Sequence, residues 1–188
     1  MNTGILGHAE IAELLDTGVV EGGQYLNINP ASLNVTLGAT FLAEVRHPQN
    51  HAGFHHICDF SRRSEQGMTP QFNEFSGGIV LDPGAFCLAS IKEKLNLPND
   101  ICCDVMLRSS AARMGIQHLL AGWGDPKYSG HLTLELRNVL RYHAISLHEG
   151  DAIVQLRFHR IKPLADEHGY DAKSGKYSGD VGPQGARG

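Results

Sequence analysis

The sequence predicts a mainly β fold, a sandwich, barrel or jelly roll carrying a few short helices. Three observations carry that reading. Short runs alternate apolar and polar residues, clusters of Gly, Pro and Asp break them at close intervals, and helical periodicity is confined to brief stretches.

In chain order, residues 7–18 read as a short helix, with Ile11, Leu14 and Leu15 as its apolar stripe and Gly18 as its terminator. Strands follow. Residues 33–37 alternate, Gly38 interrupts, and residues 41–45 resume a β run. Residues 47–71 are polar and mixed; His51, His55, His56 and Cys58 sit close together there but match no standard zinc spacing, so a solvated loop is expected. A strand at 78–81 leads into the turn Asp82-Pro83-Gly84 and a further strand at 85–90, and Leu97-Pro98-Asn99-Asp100 is another break. Residues 144–147, a turn at 148–151 and an alternating run at 152–158 complete the β-rich body. Residues 165–188 are rich in Gly, Ser, Lys and Asp, have no apolar period and cannot build a core alone. The expected organisation is one domain over 1–164 followed by a flexible tail over 165–188 that supplies no apolar face to the core.

Size and charge bound the function. A chain of 188 residues suffices for one well-buried core. Its formal net charge of −4 argues against a nucleic-acid binder with a broad basic surface, whereas a free nucleotide needs only a local basic pocket. Cys58, Cys87, Cys102 and Cys103 lack CxxC spacing, and the adjacent Cys102 and Cys103 are poorly placed to pair, which fits reduced thiols in a cytoplasmic protein. No basic-then-apolar leader opens the chain and no apolar run nears the ~20 residues needed to span a bilayer, so neither secretion nor membrane insertion is expected.

Two stretches carry chemistry. In Leu107-Arg108-Ser109-Ser110-Ala111-Ala112-Arg113-Met114-Gly115, two guanidiniums and two hydroxyls stand beside a short helical turn that Gly115 can end. Free backbone N–H groups at such a turn favour phosphate. Ser109 and Arg113, four apart, share a face if the helix extends that far. In Ala121-Gly122-Trp123-Gly124-Asp125-Pro126-Lys127-Tyr128-Ser129-Gly130-His131-Leu132-Thr133-Leu134-Glu135-Leu136, Asp125 occupies a Pro-containing turn. Downstream, His131, Thr133, Glu135 and Arg137 share one strand face, and Leu132, Leu134 and Leu136 the other. If the leucines enter the core, Glu135 faces whatever cavity lies on the polar side. Read alone, a Glu at position 135 is more commonly an exposed residue on a half-buried strand, the serines a helix cap, and the arginines surface ion-pair partners.

The ordered set RSS-x-x-R-x-G, A-G-x-x-D-P-x-Y-x-G-H-L-T-L-E-L and K-Y-x-G-x-x-G-P resembles the dCTP deaminases, members of the dUTPase-like superfamily. The likeness begins at Ile28-Asn29-Pro30-Ala31-Ser32-Leu33-Asn34-Val35-Thr36-Leu37-Gly38 and runs to Lys176-Tyr177. It implies a distorted jelly roll or β-barrel of the dUTPase-like type, a homotrimer with sites at subunit boundaries, and hydrolytic deamination of dCTP to dUTP and ammonia. The resemblance assigns Glu135 the general acid/base role, Ser109 the reacting water or base, Arg113 the organisation of Glu135, and Ala121 a backbone carbonyl. It also implies substrate binding by Arg108, Ser110 and Lys176 at phosphate, by Asp125 and Tyr128 at the sugar, and by Thr133 and Tyr170. The tail, through Lys176 and Tyr177, is then a lid folding over triphosphate. Mg²⁺ accompanies that triphosphate, and zinc is not expected, since the H-x-E…P-C-x-x-C signature of zinc deaminases is absent. Trp123 either packs or lines the base pocket, and the role of His118 stays open. The chain departs from the family at Asn34, Leu120, Gly124 and Asp180, and the segment between Arg113 and Ala121 is one residue shorter; an Asp180 carboxylate repels triphosphate unless Mg²⁺ or a lysine intervenes. The same residues serve a bifunctional enzyme forming dUMP and pyrophosphate, a dUTPase, or a nucleotide-binding module without turnover.

Overall fold

The computed structural model describes residues 3–48, 50, 55–119, 122–173 and 175–187. The helix His8–Asp16 begins where the Gly7 N–H donates to the Glu10 carboxylate (3.0 Å), buries Ile11 and Leu14, and ends before Gly18, whose φ of +72° a residue with a side chain resists.

Two five-stranded antiparallel sheets organise the rest. In the first, Val154–Arg160 pairs along its whole length with Ile101–Leu107, which carries Trp123–Gly124 on its far side. Gly4–Ile5 and Leu33–Val35 pair with the other side of Val154–Arg160. In the second, the order is Ile116–His118, Thr133–Asn138, Phe86–Ser90, Thr40–Glu44, Phe72–Ser76. A three-stranded sheet and the pair Gly78–Leu81 with Ile145–His148 complete the body. Phe158, Leu156 and Val105 from the first sheet and Phe41, Leu134 and Leu136 from the second join one apolar core. The molecule is therefore mainly β, and none of these sheets closes into a barrel among the described residues.

The strand Ile101–Leu107 has no period-two signature. Ile101, Cys102, Cys103 and Val105 are all buried, while Asp104 is part-buried and Met106 exposed; one face is in the core throughout and the other is covered only at Cys102, so the start of the strand lacks alternation. Cys87, Cys102 and Cys103 are buried free thiols; burial pushes Cys87 up to about 12 and Cys103 higher, which makes these sulfurs poor nucleophiles. Among the described residues no helix is long and apolar enough to cross a membrane.

The tail departs from the expectation that it gives the core no apolar face. Asp166–His168 forms a 3-10 turn, Tyr170–Lys173 a single helical turn, and Tyr170 and Tyr177 pack against the core. Two aromatic rings spaced seven apart lack periodicity, so each docks singly into the surface.

Candidate active site

The alternation in Thr133–Asn138 is realised: Leu134 and Leu136 are fully buried, and Thr133 and Glu135 open into a cavity of about 450 Å³. Strand register supplies the apolar wall. Leu88 lies opposite Glu135 and Phe86 opposite Arg137, so both share the Glu135 face, and Phe72 from the sheet edge adds a third apolar side chain. These wall residues come from distant strands, and only the pairing register reveals them.

Within the cavity, Glu135 Oε2 approaches Nε2 of the buried His118 at 3.2 Å. The two atoms are not aligned for a hydrogen bond, and neither has another partner among the described residues. Asp125 accepts a hydrogen bond from the Trp123 indole N–H (2.8 Å), which fixes one carboxylate oxygen, and Trp123 itself is half-exposed on the cavity rim. The buried Tyr128 donates its hydroxyl to the His131 carbonyl (3.0 Å), and burial, with the Asp180 charge nearby, pushes its phenol well above the usual range.

The tail roofs this cavity. The Tyr170 ring meets Tyr128 edge-on at 5.5 Å, the Tyr177 N–H donates to the Tyr170 hydroxyl (3.0 Å), and the Gln184 N–H donates to Thr133 Oγ1 (3.2 Å). Asp180 is buried and pairs with Arg187 at 2.7 Å. The charge expected to need Mg²⁺ or a lysine is thus met by an arginine seven residues on, in a stretch whose composition gave no sign of an ion pair. Gly124 also has a structural reason: a Cβ there would stand 2.7 Å from Cys103 Sγ and 3.2 Å from Leu97 Cδ1.

Glu135, Asp125, Tyr128, Thr133 and Tyr170 therefore meet in one cavity, whereas Arg108, Ser109, Ser110, Arg113 and Lys176 do not line it. The helix Ser109–Arg113 does carry Ser109 and Arg113 on successive turns, with Ser109, Ser110 and Arg113 exposed. Gly115 ends it at φ +84°, where a Cβ would collide with Leu140. Arg108 is partly held by its own chain, its Nη1 donating to the Ala152 carbonyl at 2.7 Å. The Lys176 carbonyl accepts a bond from Arg187. Ala121 and Leu120 lie outside the described residues. In the histidine-rich loop, His47 and His56 stack at 3.9 Å, His51 lies outside the described residues, and no group of three His, Cys, Asp or Glu side chains suited to a metal occurs among the described residues.

The family model for dCTP deaminase-like proteins matches residues 5–161. The chain belongs to the dCTP deaminase-like family. It is 36% identical over 189 residues to a dCTP deaminase of Natronomonas pharaonis, covering 97% of this chain and 94% of that protein. It is 34% identical over 195 residues to a dUMP-forming dCTP deaminase of Nanoarchaeum equitans, covering 95% and 94%. Among solved structures, the 2'-deoxycytidine 5'-triphosphate deaminase of Agrobacterium tumefaciens superposes with a TM-score of 0.64 at 23% identity, covering 85% of this chain and 47% of that one, a likeness of fold. The family match spans both the Glu135 strand and the Ser109–Arg113 helix.

Proposed function

We propose that this dCTP deaminase-like protein converts dCTP and water to dUTP and ammonia, with Glu135 as the proton-transfer group. The observation that carries the reading is the placement of Glu135: its side chain lines a cavity large enough for a nucleotide, with Oε2 turned to the buried His118 and without a hydrogen-bond partner among the described residues. Glu135 takes a proton from water as its oxygen adds to C4, delivers that proton to the ring nitrogen, and supports departure of the amino group as ammonia. Asp125 and Tyr128 hold the sugar, with Thr133 and Tyr170 beside them, and the tail covers the triphosphate through Lys176.

The exposed Ser109, Ser110 and Arg113, with Arg108, stand outside the cavity, and a second copy in a homotrimer is the source we propose for them; Ser109 then holds the water, Arg113 orients Glu135, and Ala121 offers its carbonyl. Mg²⁺ arrives with the nucleotide, held by phosphate oxygens and water. The free buried thiols support a cytoplasmic location. Relatives named for dUMP formation favour a second reading, in which the same site goes on to release pyrophosphate. Incubation of the pure protein with dCTP, dUTP and dCMP in the presence of Mg²⁺, with separation of products, tests both. Ammonia with dUTP supports deamination alone, ammonia with dUMP and pyrophosphate supports the bifunctional reaction, and no ammonia from dCTP rules out the proposal.

A further inference from the structure

Lys127 is the one non-glycine residue with a left-handed backbone among the described residues, at φ +66°. That conformation is unfavourable for a residue with a Cβ and persists where surrounding contacts hold it. Here the contacts come from two directions. On the body side, the Lys127 N–H donates to the Leu97 carbonyl (3.0 Å). On the tail side, Lys127 Nζ lies 3.1 Å from Asp166 Oδ1 and 3.6 Å from Asp171 Oδ2, and the Tyr170 N–H donates to the neighbouring Pro126 carbonyl (3.0 Å). Its aliphatic stem crosses Gly169 so closely that a Cβ there would stand 2.3 Å from Lys127 Cδ. Glycine at 169 is what lets the stem pass.

Lys127 belongs to the turn that presents Asp125 and Tyr128 to the cavity, and Gly169 immediately precedes Tyr170, which braces Tyr128 by its ring and Tyr177 by its hydroxyl. We propose that Lys127 is a positioning residue that clamps the tail to this turn and thereby sets the Tyr128, Tyr170 and Tyr177 wall of the cavity. Asp166 is 91% exposed, so its ion pair alone is weak. The clamp works because two carboxylates converge on one ammonium whose stem is already packed on Gly169. A left-handed lysine is tolerated because it reaches both carboxylates from a turn that a glycine would also fit. The effect on substrate rests on reading the cavity as a nucleotide site; the clamp itself does not.

The test separates charge, stem and backbone. Lys127→Met keeps the stem without charge, Lys127→Gly suits the backbone but has neither, and Lys127→Arg keeps the charge. Hydrogen exchange at the Gly175 and Tyr177 amides of the ligand-free protein, with the Leu134 amide as a core reference, reads the clamp; KM and kcat for dCTP read its consequence. We expect the Met and Gly variants to exchange these tail amides about 5-fold faster or more, the scale of an ion pair, with Leu134 unchanged and KM raised more than kcat is lowered, and the Arg variant to stay near wild type. The double variant Asp166→Asn, Asp171→Asn removes the same contact from the tail side without touching the turn, and should reproduce the exchange effect. Wild-type exchange at Gly175 and Tyr177 in Lys127→Met or in that double variant overturns the clamp. If the exchange effect appears but wild-type protein binds no dCTP, the clamp stands and the nucleotide reading falls.

Discussion

Nε2 of His118 stands 3.2 Å from Oε2 of Glu135, both atoms are buried, and neither has a hydrogen-bond partner among the described residues. An unsatisfied buried group costs about 1–3 kcal/mol, so the pair is a costly arrangement to keep for packing alone. Oε2 is turned to His118, while the Glu135 side chain as a whole lines the cavity, the position a general base acting on a bound nucleotide needs. Glu135→Gln keeps the shape and removes the basicity. Turnover of dCTP should fall by about 10²–10⁴-fold while nucleotide binding largely survives, measured as steady-state rate and equilibrium affinity. Near-normal ammonia release would take Glu135 out of the mechanism.

The space beside Gly124, where a side chain would stand, is filled by Cys103. A side chain there meets Cys103 Sγ at 2.7 Å, in a strand pair where Gly124 lies directly opposite Cys103. Gly124→Val should destabilise the fold by about 1–3 kcal/mol through overpacking, and Cys103→Ala in the same chain should restore part of that loss. Denaturant melts of the two single variants and the double variant give the coupling directly; strict additivity would show that Cys103 is not the obstacle.

What the sequence disclosed follows the physics of each element. The Glu135 strand was legible because one face is leucine and the other polar, and the helix at His8–Asp16 because Ile11 and Leu14 recur at its period. Ile101–Leu107 was not, since Cys102 and Cys103 are buried on opposite faces and Asp104 interrupts an otherwise apolar run, which leaves no clean alternation to read. Nor were Phe72 and Phe86, whose part in the cavity depends on register between strands far apart in sequence. Lys127 stood in plain view within the Asp-Pro turn, yet its left-handed backbone and its carboxylate partners exist only once the tail is folded. The same holds for Arg187, which answers the charge of Asp180 through a tail conformation that composition does not encode.

Asp104 joins two charged or polar partners on the first sheet: its Oδ2 accepts from Arg157 (2.6 Å) and stands 2.8 Å from His159 Nε2. Burial alone would raise its pKa, but the hydrogen bonds from His159 and Arg157 together outweigh burial and hold the carboxyl below its ordinary 3.8. With the folded value depressed, the stabilisation is present in full above 3.8 and is lost as pH falls through the lower folded value. Asp104→Asn should therefore lower stability near neutral pH and make little difference in strong acid. Melts across that range check the sign, and a deficit that grows as pH falls would contradict it.

The tail closes the cavity in this structure through Tyr170, Tyr177 and Gln184, and its buried Asp180 is paired internally with Arg187. An aspartate matched in this way does not oppose a triphosphate with an unpaired charge, so if the cavity takes the nucleotide as proposed, truncation after Leu164 should remove mainly favourable contacts with it. Loss of two docked tyrosines also removes apolar packing, so the shortened protein should melt earlier than the full chain while keeping the same association state in solution. We expect weaker dCTP binding and slower turnover, because an open cavity admits water and loses the sugar-side wall. Oligomer mass, melting temperature, dCTP affinity and steady-state rate should be compared for both forms. A shortened protein that binds and turns over dCTP like the full chain would show that the ordered tail packs on the site without serving it.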